Sequence, residues 1–109
     1  MKAAFRHPVA IAIDPVRAAY ALVIDDEYKV VRRIDLVTRE VKTIAGKDNS
    51  AGHDDSENRG QAKFAQPRGI AIHPSGRFAL VADTGNSAVR RIELVDGVAR
   101  RYVAAANGP

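Results

Sequence analysis

The chain has 109 residues and a mass of 11.8 kDa, which is enough for one small domain. It has no cysteine, which excludes disulfides and cysteine-based zinc sites, and its 46% hydrophobic and 28% charged residues are ordinary for a globular chain. The 17 Lys and Arg outnumber the 13 Asp and Glu, and the resulting charge of +4 favours acidic partners without indicating a fold.

No stretch of the sequence approaches the roughly 20 apolar residues of a membrane-spanning helix. The N-terminal region is interrupted by Arg6, His7, Pro8 and Asp14. It therefore lacks the apolar core of a secretory signal. Together with the absence of cysteine, these features predict a cytoplasmic protein that does not bind membranes.

Four short strands are predicted in the first structural unit, residues 1–46. They cover residues 9–13, 20–24, 30–37 and 40–45. These segments are rich in β-branched residues, and Pro15 supplies the chemistry of the first turn. No window has a sustained 3.6-residue periodicity, so no helix is predicted.

Residues 47–63 form a polar segment, rich in Gly and Asp, that we interpret as a loop between two units. The sequence leaves open whether this is a functional surface loop or a partly mobile one. Asp54, Asp55 and Glu57 could gather a hard cation, but the positions after Asp48 do not follow the EF-hand pattern. We therefore expect an acidic, solvated loop without a metal.

Residues 64–109 repeat the first unit. Residues 5–15 align with 64–74 with six identities in eleven positions, and residues 20–37 align with 78–95 with ten in eighteen. The corresponding strands are predicted at residues 69–72, 78–82, 88–95 and 98–104. Two copies of one unit account for the chain, which is the signature of a repeat architecture.

In unit two, Phe64 opens the run F-x-x-P-x-G-I-A-I-x-P-x-G, and ALVADTGNSAVRRI follows it. This pattern resembles the NHL repeat. Members of that family carry a similar Phe-x-x-Pro-x-Gly-Ile-Ala opening and a Val-Ala-Asp-x-x-Asn turn. Unit one departs from this pattern, because Ala10 replaces the glycine and the turn reads DDEY, from Asp25, where unit two has DTGN, from Asp83.

The resemblance implies an all-β fold in which each unit is one four-stranded antiparallel blade of a β-propeller. Propellers of this family typically close with about six blades, and two blades cannot form a ring. Three possibilities therefore stay open. Three copies of the chain could assemble a six-bladed ring, a homotrimer, or the chain could be an excised or engineered fragment of a longer propeller. The third is that two blades stay folded alone as a marginal sandwich.

Several residues of the repeat are assigned to turns. The aspartate of each turn, Asp25 or Asp83, is predicted to accept backbone N–H bonds across its hairpin, and a catalytic carboxylate is the alternative. The other residues assigned to turns are Pro8, Pro67, Gly69, Gly85 and Asn86.

The candidate binding residues are five arginines, four of which recur as two Arg-Arg pairs, while Arg68 lies outside the pairs. They are Arg32, Arg33, Arg68, Arg90 and Arg91. Adjacent residues of a strand point to opposite faces, so each Arg-Arg pair would give every blade a similarly placed cation that can hold phosphates or acidic peptides. The alternative is that these arginines pair with Asp35, Glu40 or Glu93 on neighbouring strands, or cover apolar packing with their stems.

The sequence contains no nucleophile motif, phosphate-binding loop or dinucleotide fingerprint, and His7, His53 and His73 lack the spacing of a zinc site. We therefore expect a non-catalytic scaffold, without cofactor or metal, that binds a protein or assembles with itself. Three alternatives stay open. They are an RNA-binding propeller that uses the arginines, a two-blade fragment or engineered unit that forms a ring, and a metal-dependent lyase or lactonase.

Overall fold

In the computed structural model the chain forms two four-stranded antiparallel sheets, each with its strands in sequence order. The structure describes residues 5–46, 64–95 and 98–107, with the backbone alone after Leu94. Blade one contains β1 (Pro8–Ile13), β2 (Tyr20–Asp25), β3 (Val30–Asp35) and β4 (Val41–Ala45). Blade two contains β5 (Pro67–Ile72), β6 (Phe78–Asp83), β7 (Ala88–Val95) and β8 (Val98–Asn107).

The predicted all-β class and the order of the strands are confirmed, and the differences lie at strand ends. β3 stops at Asp35 instead of continuing to Val37, because the Asp35 carboxylate accepts the N–H groups of Val37 and Thr38 and turns the chain. β8 extends past the predicted end at Ala104. The turn before β7 is a short 3-10 helix, Thr84–Asn86. No helix in the described part of the chain is long and apolar enough to cross a membrane.

Two irregularities in strand pairing are each found at matching positions in both blades. β1 and β5 both begin at a proline, and the register shifts just after it, between Pro8 and Ala10 and between Pro67 and Gly69. Proline lacks an N–H group, so the first residue of an edge strand is a position where it is tolerated. A second shift lies directly before Arg32 in β3 and before Arg90 in β7. The duplication therefore extends to backbone detail.

The turn between β1 and β2 is built around Asp14. Its buried carboxylate accepts the N–H groups of Val16 at 2.9 Å and Ala19 at 3.1 Å. Burial acts to raise the pKa of Asp14, but the backbone hydrogen bonds outweigh it and hold this pKa below its ordinary value of 3.8. Blade two has His73 at this position, and its turn instead uses Ser75 and the positive φ of Gly76.

Strand register assigns the apolar side chains of each blade to two faces, since paired residues of adjacent antiparallel strands point the same way. The leading face carries Ile11, Ile13, Ala21, Val23 and Ile34 together with Arg32 in blade one, and Ile70, Ile72, Ala79, Val81 and Ile92 together with Arg90 in blade two. The trailing face carries Tyr20, Leu22, Ile24, Val31 and Arg33 in blade one, and Phe78, Leu80, Ala82, Val89 and Arg91 in blade two.

The hydrophobic core lies between the blades. It joins the trailing face of blade one, including Leu22 and Ile24, to the leading face of blade two, including Val81 and Ile92, with Phe64 among them. All five of these side chains are completely buried. The trailing face of blade one thus packs on the leading face of blade two. The leading face of blade one and the trailing face of blade two are not covered by the other blade.

Candidate interaction surface

Asp25 joins the β2–β3 turn to the segment that leads into β1. Its buried carboxylate accepts N–H groups from Arg6 at 2.6 Å, His7 at 3.2 Å, and Glu27 and Tyr28 at 3.1 Å each. Burial acts to raise the pKa of Asp25, but the four backbone hydrogen bonds outweigh it and hold this pKa below 3.8. The geometry is that of a turn-building carboxylate.

Asp83 occupies the same position in blade two and adds side-chain partners. It accepts the N–H groups of Ala65 and Gln66, the side-chain amide of Asn86 at 2.9 Å, and the guanidinium of Arg90 at 3.1 Å. The side chains of Asp83 and Arg90 are both completely buried. This burial removes Arg90 from the predicted set of partner-binding arginines, because its charge is neutralised inside the protein.

Arg32 is the counterpart of Arg90 in blade one, and its surroundings differ. Its guanidinium lies over the rings of Phe5 at 5.7 Å and Tyr28 at 5.3 Å. No carboxylate among the described residues pairs with it, and its Nε is buried without a hydrogen-bond partner. The aromatic rings stabilise the cation by stacking, which is weaker than a buried ion pair.

Arg33 and Arg91 lie on the trailing faces and share one arrangement. Each forms an ion pair two residues along its own strand, Arg33 with Asp35 at 3.5 Å and Arg91 with Glu93 at 2.6 Å. Each also lies over an aromatic ring, Tyr20 or Phe78. The pairing that the sequence offered as the alternative to ligand binding is therefore present, within strands instead of between neighbouring ones.

Arg68 is the fifth predicted arginine, and it lies on β5 with an exposed side chain. It is the counterpart of Val9 on β1. The five arginines thus have four different environments, and the structure does not gather them into one basic surface.

The remaining residues assigned to turns shape the backbone. A Cβ on Gly85 would lie 2.8 Å from the Cβ atoms of Ala65 and Gln66, so the 3-10 turn packs directly on the segment before β5. Asn86 bonds to Asp83 within that turn. Pro8 and Pro67 begin their strands. A Cβ on Gly69 would be in ordinary contact with Ala82 at 3.7 Å, which agrees with Ala10 at this position of blade one.

The open leading face of blade one forms an apolar groove that the sequence reasoning did not identify. The groove has a volume of about 380 Å³ and is lined by Phe5, Pro8, Val9, Ala10, Ile11, Val23 and Ile34. Ile11 is 62% exposed and Ile13 is 57% exposed. The alternating VAIAI pattern was a signal for this face. It could not indicate exposure, because the same IAI pattern in blade two is covered.

Metal-binding chemistry is not supported in the described ranges. They contain no group of three or more His, Asp and Glu residues that could hold an ion. His7 bonds to Asp26 and His73 bonds to Ser75, at opposite ends of different strands. His53 and the acidic residues considered for calcium, Asp48, Asp54, Asp55 and Glu57, lie outside the described residues.

Comparison with known proteins places this arrangement among β-propellers. No protein-family model matches the sequence. A segment of 67 residues, 62% of this chain, is 42% identical to Protein SUPPRESSOR OF QUENCHING 1, chloroplastic, from Arabidopsis thaliana. The chain spans only 6% of that protein.

Solved structures match over most of the chain. A structural genomics protein of unknown function from Bacteroides thetaiotaomicron has a TM-score of 0.71 over 92% of this chain, at 20% identity. A chain of a nidogen–laminin complex has a TM-score of 0.66 over 92%, at 18% identity. An auxiliary nutrient binding protein from Bacteroides ovatus has a TM-score of 0.64 over 82%, at 16% identity.

These structural neighbours are β-propeller proteins, and at such identities the likeness concerns the fold. The two sheets correspond to adjacent propeller blades. This chain spans between 22% and 31% of the three solved chains.

Proposed function

We propose that the chain is a non-catalytic, NHL-like propeller scaffold that associates with protein through the leading face of blade one. The observation that carries the proposal is the apolar groove on that face, with Ile11 and Ile13 more than half exposed. Contiguous exposed apolar surface is characteristic of protein–protein contact sites. The plant relative contains NHL repeats, which supports the assignment of the repeat type.

Charged side chains that bond to other groups of the chain itself support a scaffold without catalysis. Asp14, Asp25 and Asp35 all have pKa values held below the ordinary value by backbone hydrogen bonds. Such carboxylates stay ionised and hydrogen-bonded to backbone N–H groups, whereas a general acid or base needs a pKa near the working pH. An RNA-binding role has less support, because Arg33, Arg90 and Arg91 hold carboxylates of the chain itself.

Site-specific photo-crosslinking tests the proposal. A photoreactive phenylalanine analogue is introduced at position 11 and, in a matched control, at position 37, where Val37 is 82% exposed but lies outside both faces. We expect covalent protein adducts in the producing cells from position 11 at several times the yield from position 37. Equal yields from the two positions, or adducts to RNA, would contradict the proposal.

A further inference from the structure

We propose that the leading face of blade one binds the trailing face of blade two of a second copy of this chain. This inference rests on the proposed function, because it names the partner of the same apolar surface. It concerns purified chain alone, so it can fail while protein binding by that surface stands.

The contact between the two blades of one chain shows how the contact between two chains can form. Within one chain, Ile70 and Ile72 on the leading face of blade two pack against the cluster that contains Leu22 and Ile24 of blade one. The two blades have the same strand order, two register shifts at matching positions and related sequences, and blade two has one further shift between Glu93 and Leu94. A surface that fits a blade once in this chain is therefore suited to a blade of the same kind.

The open leading face of blade one carries the same side chains as the covered one. Ile11, Ile13 and Val23 correspond to Ile70, Ile72 and Val81. Ile11 and Ile13 are exposed, whereas their counterparts are packed against the core. The difference in exposure thus reflects what covers each face, since the residues themselves do not differ.

The open trailing face of blade two is the complementary half. Leu80 and Val89 are each 37% exposed, whereas their counterparts Leu22 and Val31 are completely buried under blade two. The arginine over an aromatic ring recurs here, with Arg91 at 3.9 Å from the centre of the Phe78 ring. Burying such apolar surface is the main driving force for association.

Each chain offers one open face of each kind, so the predicted contact is head-to-tail. Contacts of this type close into a ring when the rotation between subunits allows it. The exposed apolar side chains on the two faces, Ile11 and Ile13 on one and Leu80 and Val89 on the other, favour another blade over a charged partner such as RNA. One feature weakens the contact relative to the internal one: Arg32 would become buried without the carboxylate that Arg90 has. We therefore expect association that depends on concentration.

Light scattering after size exclusion tests the inference, with the purified chain at about 1 μM to 1 mM. The mass is expected to rise with concentration from 11.8 kDa to at least twice that value. Ile11→Asp blocks the leading face and Leu80→Asp blocks the trailing face, so each variant alone is expected to stay monomeric. Val37→Asp, which adds the same charge at an exposed apolar position away from both faces, is expected to behave as the unmodified chain.

Mixing the two blocked variants gives the decisive result. Each retains the face that the other lacks, so an equimolar mixture is expected to form a heterodimer and nothing larger. Formation of this heterodimer also proves that both variants are folded. Ile13→Asp provides a second leading-face variant with the same expectation, because Ile13 is also more than half exposed.

Three results would overturn the inference. They are a monomeric chain at every concentration, unchanged association of Ile11→Asp, and a Leu80→Asp variant that still dimerises by itself. The last result would indicate a symmetric contact between two leading faces. If the purified chain is monomeric but position 11 still crosslinks to another protein, the proposed function stands and only the identity of the partner is wrong.

Discussion

Asp25 and Asp83 stand at the same position of the repeat but neutralise their charge differently. Asp25 accepts four backbone N–H groups, whereas Asp83 accepts two backbone N–H groups together with the side chains of Asn86 and Arg90. Blade one has Tyr28 in place of Asn86, and the Tyr28 side chain stacks on Arg32, so that only its backbone N–H bonds to the carboxylate. The two copies therefore conserve the link between segments while exchanging the groups that make it.

Asp25→Asn is expected to destabilise the chain by roughly 1–3 kcal/mol at neutral pH, because an amide cannot replace an ionised acceptor of four N–H groups. The pKa of folded Asp25 lies below 3.8, so the unfolded chain takes up the proton first as the pH falls. The stabilisation is fully present above about pH 4 and is lost as the pH drops through the folded pKa. Chemical denaturation at a series of pH values measures both effects.

Asp26→Asn is the control for this experiment, because it removes the same charge from the next residue, whose described hydrogen bond is to the exposed His7. Its effect at neutral pH is expected to stay below about 1 kcal/mol. Equal losses in the two variants would mean that net charge, and not the backbone hydrogen bonds of Asp25, accounts for the effect.

Arg90→Met and Arg32→Met form a second matched pair. Arg90→Met leaves Asp83 buried without its cation, and we expect a loss of roughly 3–5 kcal/mol. Arg32→Met removes stacking on Phe5 and Tyr28 but no ion pair, and we expect a loss of about 1 kcal/mol. Thermal or urea unfolding of the two variants provides the comparison, and similar losses would contradict the difference inferred between the blades.

Among the secondary-structure elements, β4 ends at a tightly constrained position. Gly46 has a φ of +89°, and a Cβ there would lie 2.5 Å from the carbonyl oxygen of Lys29 and 3.0 Å from the Phe64 ring. The end of the fourth strand thus packs directly on the β2–β3 turn and on the residue that opens the next blade. Only glycine combines this backbone conformation with this close approach.

Gly46→Ala is accordingly expected to destabilise the chain by more than about 1 kcal/mol, whereas Gly69→Ala is expected to be neutral or slightly stabilising. A Cβ at position 69 meets only Ala82, at 3.7 Å, and blade one already has alanine at this position. Urea unfolding of both variants distinguishes them. A tolerated Gly46→Ala would contradict the described packing of β4 on the turn.

At the level of the whole molecule, a residue's environment depends on which blade carries it. Leu22 and Leu80 are the same residue at the same position of the repeat, yet only Leu22 is covered by a second blade. The same holds for Val31 and Val89. Position in the stack of blades, more than local sequence, therefore sets how much each side chain contributes to stability.

Leu22→Ala is expected to cost roughly 2–5 kcal/mol, as for a completely buried leucine. Leu80→Ala is expected to cost less than about 1 kcal/mol in the monomer, because the side chain is already 37% exposed. If two chains associate as inferred, the effect of Leu80→Ala on the melting temperature grows with protein concentration, since association stabilises the folded state. Melting curves at low and high concentration measure this dependence.

The sequence by itself determined the strands, their order and the duplication, because alternating β-branched segments and turn residues act locally. It also placed Asp25 and Asp83 at the turns, since a short carboxylate after a strand bonds to nearby backbone. Only the tertiary structure decided which copy of each residue is covered. Ile11 and Ile70 are the same residue type at matching positions of the repeat, and so are Arg32 and Arg90. They differ in burial because one blade lies on one face of the other and leaves the remaining faces open.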